Sequence, residues 1–339
     1  MNHYFLGVDI GSTKSHALIA DGAGQILGFG QAGAGNYQVV DYPGMAATLR
    51  QVTTQALALA GLTIDQITCA GLGISGYDWL SQRPQMIRTI HEAGLVAPLE
   101  IVNDAVLGLL AGASDTWGVA LVAGTGSNCW GRDQHGREGR VTGEGSHFGE
   151  YGGAGDLVIM ALQAVSRAWS RRGPATALSD RFIAATGARD LDDLLEGLAL
   201  QYYHLGAEIA PLVFQVAHEG DRVAQELIAL AGHELADLAI GVIRQLNFER
   251  QVFDVVLVGG LYNGGELFTE PLRAAIHAVA PGARLTRLTA PPVVGGVLLA
   301  MEQHGSFLPA VRDVLVRNVV EQLPTTATQY AGVWPANDG

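Results

Sequence analysis

Two short glycine-rich turns, each placed directly after an apolar strand, constrain this chain more than any other feature. The first reads Asp-Ile-Gly-Ser-Thr-Lys over 9–14 and follows the apolar run 4–8. The second reads Ala-Gly-Thr-Gly-Ser-Asn over 123–128 and follows the run 118–122. Glycine lets the backbone approach a ligand closely, and the free N–H groups of such a turn can surround an anion. Two of them predict a duplicated half-domain that grips a polyphosphate from both sides.

Composition and charge narrow the class of protein. The chain has 339 residues, of which 48% are hydrophobic and 16% charged, as expected for a well-packed protein large enough for two domains. Its formal net charge of −13 argues against a nucleic acid or an anionic membrane as partner, because binding either needs clustered Lys and Arg. We therefore expect backbone amides and a metal ion to supply many of the interactions that bind an anion.

The cellular compartment is predicted from what the sequence lacks. No basic segment followed by an apolar core begins the chain, which argues against a secretory signal peptide. The sequence contains no run of about 18 apolar residues, so no membrane-spanning helix is predicted. Cys69 and Cys129 are its only cysteines, too few for a disulfide framework. The expectation is a cytoplasmic enzyme that binds neither nucleic acid nor membrane.

Strand and helix patterns repeat along the chain. Alternation and turn residues predict a three-stranded meander over 4–30. Apolar residues then have helical spacing, beginning at about Pro43; proline is favoured at the start of a helix. The predicted elements after that helix are a strand over 67–74, a helix over 83–93, a strand over 99–102 and a helix over 105–111. The order is βββαβαβα.

The same pattern restarts at Trp117. The predicted elements are strands over 118–122 and 129–132, a long helical stretch over 156–248, a strand over 252–258, a helix over 267–279, a strand over 284–288 and a helix over 293–304. This repeat predicts an α/β protein with domains at 1–115 and 116–304. The segment 305–339 is expected to pack back on the first domain, and its Pro/Thr-rich tail after about residue 321 is expected to pack loosely.

A repeated βββαβαβα unit with a phosphate hairpin in each half resembles the actin/Hsp70/sugar kinase superfamily. Within it, the chain resembles the N-acetylglucosamine kinase branch of the BadF/BadG/BcrA/BcrD ATPase family, up to about residue 304. The resemblance implies two ribonuclease H-like (actin-like ATPase) domains separated by an interdomain cleft. It also implies ATP and Mg²⁺ as cofactors, an amino sugar as the small-molecule partner, and a homodimer.

The resemblance assigns the nucleotide side of the cleft. Asp9 would hold hydrated Mg²⁺, which commonly keeps several waters and uses one or two carboxylates. Without the resemblance, Asp-x-Gly is also typical of an ordinary turn, and so is Gly-Gly after a strand. The implied ATP contacts are Gly11, Ser12, Thr13, Lys14, Gly124, Thr125, Gly126, Ser127, Gly259 and Gly260.

Asp104 is implied to be the catalytic residue. Asn103 and Asp104 follow a strand and open a helix, where an aspartate is also typical of a helix N-cap. The family places its catalytic aspartate at this strand-to-helix step. Asp104 would accept the proton of the sugar hydroxyl and orient that hydroxyl toward the γ-phosphate.

The implied sugar contacts come from both halves. The loops 33–36 and 73–76 resemble the family's sugar-binding loops, although their polar residues also suit ordinary turns. The family's usual Gly-Asp-Glu-Gly-Ser run reads Gly-Glu-Tyr-Gly-Gly here, with Glu150 at the aspartate position and Tyr151 at the glutamate position. This departure leaves the identity of the sugar open. The implied substrate contacts are Asn36, Ser75, Asp104, Asn128, Gly145 and Glu150.

Several functions remain as alternatives. The leading hypothesis is phosphorylation of N-acetylglucosamine at O6, with glucosamine or N-acetylmuramic acid as other acceptors. A second class is an ATPase activator of a CoA-substrate reductase or dehydratase, with an iron–sulfur cluster between two subunits held by Cys69 and Cys129. The second hairpin differs from the loop of those activators, and Cys69 falls in a predicted buried strand. A non-catalytic regulatory module would be expected to have lost Asp9 or Asp104, and both are present.

Overall fold

The computed structural model describes residues 3–307 and 309–322, which form two five-stranded mixed sheets with helices packed against them. The first sheet has the order β3-β2-β1-β4-β5, and the second has the order β10-β9-β6-β7-β8. The strands are Tyr4–Ile10 (β1), Ser15–Asp21 (β2), Ile26–Ala32 (β3), Cys69–Ile74 (β4), Leu99–Asn103 (β5), Gly118–Ala123 (β6), Ser127–Arg132 (β7), Glu138–Val141 (β8), Phe253–Val258 (β9) and Ala283–Arg287 (β10).

The helices connect and cover these strands. They are Tyr37–Ala60 (α1), Arg83–Glu92 (α2), Asp104–Gly112 (α3), Ala154–Trp169 (α4), Leu178–Thr186 (α5), Leu191–Ala199 (α6), Ala210–His218 (α7), Arg222–Leu246 (α8), Glu266–Val279 (α9), Val293–His304 (α10) and Pro309–Gln322 (α11). Short 3₁₀ turns lie at Gly145–Phe148, Ala207–Ile209 and Gly260–Gly264, among others. None of the helices in the described part is long and apolar enough to cross a bilayer.

The predicted duplication is confirmed. In each half the first strand is central: β1 pairs antiparallel with β2 and parallel with β4, and β6 pairs antiparallel with β7 and parallel with β9. A glycine hairpin follows each of these central strands at its carboxyl end. Ligands of open α/β sheets bind outside the carboxyl ends of such strands. The topology therefore places both hairpins where a shared ligand can reach them.

Two predicted helical regions differ in detail. α1 begins at Tyr37 and is kinked at Asp41 (φ 59°), two residues before Pro43. The helix predicted from Pro43 therefore covers only the part of α1 after the kink. The single stretch predicted over 156–248 is five helices, α4 to α8. Gly187 (φ 74°) and Gly220 (φ 102°) lie in two of the turns between them. Helical periodicity does not register such breaks, since the amphipathic pattern continues on both sides.

α10 lies against the first sheet. It packs on β1, β4 and α3, although it falls within the range 116–304 that was predicted as the second domain. A Cβ on Gly295 would lie 2.0 Å from the carbonyl oxygen of Leu107, and one on Gly7 would lie 2.4 Å from the amide of Val297. Residues 293–301 are all buried, as expected for a helix that is apolar on every side.

The two halves share one apolar layer. A single cluster of buried side chains joins Phe5 of the first sheet, Val256 of the second sheet, α3 and α10. α3 contacts strands of both sheets. α3 therefore packs between the two sheets, and Asp104 lies at its start.

The described part of the C-terminal segment contacts the first half. α11 packs near β3, and Asn318 Nδ2 donates to the carbonyl of Gly24 over 2.9 Å. Val311 lies against the same turn. The loosely packed tail predicted after about residue 321 falls mostly within 323–339, outside the described residues.

Candidate active site

A buried carboxylate lies on the central strand of the first sheet. Asp9 is the penultimate residue of β1, opposite Gly73 of β4, and it is 7% exposed. Burial and then the nearby charge of Asp104 raise the pKa of Asp9 to about 8, against a smaller opposing effect of Lys14. A cation that binds beside Asp9 would favour its ionised form and so lower this pKa.

Asp104 occupies the first position of α3, and Asn103 is the N-cap. Asn103 Oδ1 accepts a hydrogen bond from the amide of Ala105 over 3.0 Å, so the alternative interpretation of Asp104 as the cap is wrong. Burial raises the pKa of Asp104 to about 6, although hydrogen bonds from the Ala105 amide, the Ser75 hydroxyl and its own amide lower it. A carboxylate with this pKa is ionised near neutral pH and basic enough to take up a proton.

Two predicted sugar-binding loops meet beside the first hairpin. Asn36 Nδ2 lies 3.0 Å from Ser12 Oγ and 3.4 Å from Ser75 Oγ, and the two hydroxyls are 3.2 Å apart. Asn36 also caps α1, since its Oδ1 accepts from the amide of Gln38 over 2.9 Å. The structure thus brings Asn36 and Ser75 together next to Asp104, and Asn36 has a structural role there as well.

The first hairpin is held by its own backbone and by the loop before α1. The Gly11 amide donates to the carbonyl of Lys14 (3.2 Å), and the Gly11 carbonyl accepts from Gly35 (2.9 Å) and Asn36 (3.2 Å). A Cβ on Gly11 would lie 2.6 Å from the Lys14 carbonyl oxygen. Within residues 3–307 and 309–322, the amides of Ser12 and Thr13 have no backbone acceptor and are available to an anion.

The second hairpin is braced by α4. The Gly124 amide donates to the carbonyl of Gly126 over 2.9 Å, and Ser127 begins β7. The amides of Ala154 and Gly155, in the first turn of α4, donate to the carbonyls of Gly124 (2.9 Å) and Thr125 (3.0 Å). These bonds fix the hairpin without using its outward-facing amides.

Gly259 packs directly against this second hairpin. Its φ is +115°, and a Cβ there would lie 2.2 Å from the carbonyl oxygen of Ala123. Arg287 supports the neighbouring wall by donating to the carbonyl of Gly259 (3.1 Å) and to Asn263 Oδ1 (2.8 Å). Only glycine can make this close approach, which a sequence reading of Gly-Gly as a simple turn does not reveal.

One cavity of about 1510 Å³ connects the hairpins of the two halves. Thr13 of the first hairpin, Gly124 and Thr125 of the second, and Gly260 after β9 all line it. The segment 204–219 supplies much of the remaining lining, with apolar side chains such as Ile209, Leu212 and Phe214 and polar ones such as His204, Glu208 and Gln215. Sequence reasoning missed that segment, because its apolar spacing indicated only a helix.

The second half supplies hydrogen-bond acceptors that the protein leaves unsatisfied. Glu150 is 8% exposed; its Oε1 lies 3.3 Å from the amide of Thr142, and its amide donates to the carbonyl of Gly145 over 3.1 Å. Within the described part of the chain, Glu150 Oε2 and Asn128 Oδ1 are buried without a hydrogen-bond partner. Buried polar atoms are rarely left unpaired, so these two acceptors fit a ligand that brings N–H or O–H donors.

Four further residues near the predicted sugar-binding side chains were not predicted from the sequence: Asp78, Trp79, Arg140 and Glu144. Asp78 accepts a 2.8 Å hydrogen bond from Asn103 Nδ2, and Trp79 Nε1 donates to Glu144 Oε1 over 3.3 Å. The Arg140 guanidinium lies 5.2 Å from the ring centre of Trp79. The available signal was the aspartate three residues after Ser75, directly following a predicted sugar loop.

The carboxylates at the centre of the cleft fit a divalent cation. Asp9 lies within the field of Asp104, and burial raises the pKa of both. Across residues 3–307 and 309–322, no group of three or more His, Cys, Asp or Glu side chains could hold a metal by itself. Mg²⁺ would therefore depend on water and on the phosphates of a nucleotide, as it commonly does.

The cysteines are placed unfavourably for a shared iron–sulfur cluster. Cys69 (2% exposed) lies in β4 and Cys129 (0%) in β7, and the two belong to different core clusters. Burial raises the pKa of both thiols. The thiolate is the metal-binding form, so these environments favour small apolar packing residues.

The repeated sheets, the shared cleft and a hairpin from each half define a two-domain actin-like ATPase fold. The chain belongs to the BadF/BadG/BcrA/BcrD ATPase family, whose model matches residues 6–300. The family expected from the motifs is thereby confirmed.

Similar proteins are known from several organisms. The chain is 24% identical to an N-acetylmuramic acid/N-acetylglucosamine kinase of Clostridium acetobutylicum, over 88% of this chain and 99% of that one. It is 26% identical to an N-acetyl-D-glucosamine kinase of Dictyostelium discoideum, over 88% and 97%. A solved structure of a candidate N-acetylglucosamine kinase from Chromobacterium violaceum superposes with a TM-score of 0.65 at 22% identity, covering 88% of this chain and 98% of that one. This structural likeness concerns the fold.

Proposed function

We propose that this protein is an ATP-dependent kinase that phosphorylates an amino sugar. The observation that carries the proposal is the single cavity lined by Thr13 of one half and by Gly124, Thr125 and Gly260 of the other. Such a cavity suits a nucleoside triphosphate held from both sides. The similarity to amino sugar kinases over most of the chain supports the choice of acceptor.

The proposed chemistry is transfer of the γ-phosphoryl group to a sugar hydroxyl. Amides of the two hairpins bind the phosphates, with the base toward the part of the cavity that Leu212 and Phe214 line. Asp104 accepts a hydrogen bond from the acceptor hydroxyl, orients its oxygen toward phosphorus, and takes the proton as the oxygen–phosphorus bond forms and ADP leaves. Because the transition state is loose, positioning contributes more than proton removal.

Mg²⁺, with Asp9 as its protein partner through water, would neutralise the negative charge of the phosphates. The acceptor sugar is bound by Asn36 and Ser75 of the first half and by Asn128 and Glu150 of the second half. The unpaired acceptor atoms of the last two residues suit sugar hydroxyl or amide donors. Gly145 contributes through its carbonyl, which fixes the backbone at Glu150.

The acceptor we propose first is N-acetylglucosamine, phosphorylated at O6. Glucosamine and N-acetylmuramic acid are the next candidates, since Glu150 and Tyr151 occupy the positions where amino sugar kinases carry Asp and Glu. Glutamate is one methylene longer than aspartate, which moves its carboxylate relative to the substituents at C2 and C3. We further propose a homodimer located in the cytoplasm, to be examined by sedimentation and cell fractionation.

The experiment that tests this function is coupled ADP release with MgATP against a panel of sugars. The panel contains N-acetylglucosamine, glucosamine, N-acetylmannosamine, N-acetylmuramic acid and glucose, with a control lacking sugar. Strong stimulation by one amino sugar supports the proposal. Hydrolysis that no sugar stimulates would contradict it and would favour an ATPase with another partner.

A further inference from the structure

Asp78 is a buried carboxylate to which the proposed transfer chemistry gives no role. It is 6% exposed and lies in the loop that follows β4. Gln82 Oε1 accepts from the amides of Asp78 (2.9 Å) and Trp79 (2.8 Å), and Gln82 Nε2 donates to the hydroxyl of Tyr37 (2.7 Å). The backbone at Asp78 is therefore fixed before any ligand arrives.

The side chain of Asp78 leads to the proposed catalytic residue through one amide. Asn103 Nδ2 donates to Asp78 Oδ1 over 2.8 Å and lies 3.4 Å from the Tyr77 carbonyl, while Asn103 Oδ1 accepts from the amide of Ala105 over 3.0 Å. Asn103 thus connects the loop after β4 to the first turn of α3. Asp104 lies between the cap residue and the amide that it caps.

Charge does not carry the link between Asp78 and Asp104. The groups that face Asp78 are the carboxylates of Asp104, Glu144 and Glu150, which disfavour its ionised form, and the guanidinium of Arg140, which favours it. Burial and these carboxylates raise the pKa of Asp78 to about 7, above the value of about 6 for Asp104. Asp78 is therefore mostly protonated while Asp104 ionises, and its hydrogen bond with Asn103 is what connects it to α3.

We propose that Asp78 is a positioning residue for Asp104: through its hydrogen bond with Asn103 it holds the first turn of α3, and with it Asp104, in place. This inference rests on the proposed function of Asp104 as the residue that receives the hydroxyl proton. Asp78 itself contacts Asn103 and not the reacting atoms.

Two substitutions test the hydrogen bond between Asp78 and Asn103. Asp78→Asn retains an oxygen that can accept from Asn103 Nδ2, whereas Asp78→Ala removes it. For D78N we expect a kcat at pH 8 within about threefold of wild type. For D78A we expect kcat to fall about tenfold or more at every pH, with a smaller change in the KM for ATP. Asp115→Asn, at an exposed position, is the matched control.

A second measurement does not depend on the acceptor sugar. Side-chain ¹³C-carboxyl NMR of aspartate-labelled protein at pH 8 reports the surroundings of Asp104, with Asp104→Asn identifying its signal. We expect the Asp104 signal to move in D78A and to stay close to its wild-type position in D78N and D115N. A folded D78A with wild-type kcat, or with the Asp104 signal at its wild-type position, would overturn the proposal. If no sugar is phosphorylated, the proposed function fails and the NMR result still decides whether Asp78 positions Asp104.

Discussion

Trp79 of the first half donates its indole N–H to the carboxylate of Glu144 in the second half, over 3.3 Å. Arg140, also in the second half, stacks on the same indole ring and on that of Trp130. Trp79 is 41% exposed, so water can replace the hydrogen bond when it breaks. This bridge lies one residue from Asp78 and therefore joins the halves at the proposed acceptor end of the cleft.

Trp79→Phe should weaken acceptor binding more than nucleotide binding. Phenylalanine retains an aromatic face for Arg140 but cannot donate to Glu144. A net hydrogen-bond contribution of about 0.5–1.5 kcal/mol corresponds to an acceptor KM raised roughly two- to tenfold. Steady-state kinetics with sugar and ATP varied in turn measure both constants.

The control for this prediction is Trp169→Phe. Trp169 is also exposed and donates its indole N–H to a carboxylate, that of Asp192 on α6. We expect W169F to leave the acceptor KM unchanged. Adding Glu144→Gln to W79F should cost little more, because the two residues share one bond; fully additive losses would argue against the bridge.

Gly295→Ala should destabilise the protein strongly. Its Cβ would lie 2.0 Å from the carbonyl oxygen of Leu107, so α10 would have to move away from α3. Overpacking of this kind costs about 1–3 kcal/mol or more. The free energy of unfolding in urea measures the loss.

A matched glycine in another helix should respond in the opposite direction. Gly241 lies inside α8, and a Cβ there would have its nearest neighbour, Val141 Cγ2, at 3.6 Å. Gly241→Ala should therefore stabilise the protein by about 0.5–1 kcal/mol through helix propensity. Equal effects of G295A and G241A on unfolding would show that the close contact of α10 with α3 does not matter.

Glu150→Gln should raise the acceptor KM and leave the KM for ATP almost unchanged. The substitution replaces one carboxylate oxygen, which accepts hydrogen bonds, by an amide NH₂ group, which donates them. Glu150 is buried, and its Oε2 has no hydrogen-bond partner among the described residues. Hydrogen bonds to charged groups contribute about 1.5–3 kcal/mol, which corresponds to roughly tenfold to a hundredfold in KM. Glu196→Gln, at an exposed position on α6, is the control. A wild-type acceptor KM in E150Q would remove Glu150 from the sugar site.

Asp104→Asn should stabilise the ligand-free protein at alkaline pH. The pKa of Asp104 is raised from an ordinary value of 3.8 to about 6, so the folded state binds more protons than the unfolded state between these values. Its carboxylate therefore reduces stability as pH rises through that window, and Asn removes the effect. We expect the Tm of D104N to exceed that of wild type at pH 8 and to approach it near pH 4.

Asp193→Asn is the control with the opposite sign. Arg189 and its hydrogen bonds lower the pKa of Asp193, so its carboxylate stabilises the folded state above the ordinary pKa. D193N should therefore lower the Tm at pH 8. A Tm for D104N below that of wild type at pH 8 would contradict the assigned environment of Asp104.

Much of the fold was predictable because its signals are local. Each glycine hairpin follows an apolar strand directly, and the order of strands and helices repeats, so the duplication could be inferred from spacing alone. The position of Asp104 after β5 was visible for the same reason. Its role as the first helical residue behind an Asn103 cap was not visible, because either residue can cap a helix.

What could not be predicted depends on contacts between distant segments. Periodicity shows that 293–304 is helical but not which sheet it covers, although its glycines and uninterrupted apolar run indicate close packing on several sides. The segment 204–219 lines the same cavity as the second hairpin, although the two are far apart in the sequence. Asp78 was overlooked for a similar reason, since its partner Asn103 is 25 residues away.

The measurement that tests the central claim most directly is turnover by Asp104→Asn compared with wild type, using MgATP and the best sugar of the panel. ³¹P NMR identifies the sugar phosphate, and a coupled assay measures ADP. The account predicts equal amounts of both products from wild type, a loss in kcat of about a hundredfold or more in D104N, and a dissociation constant for ATP that changes less than about twofold. Wild-type turnover by D104N would contradict the account.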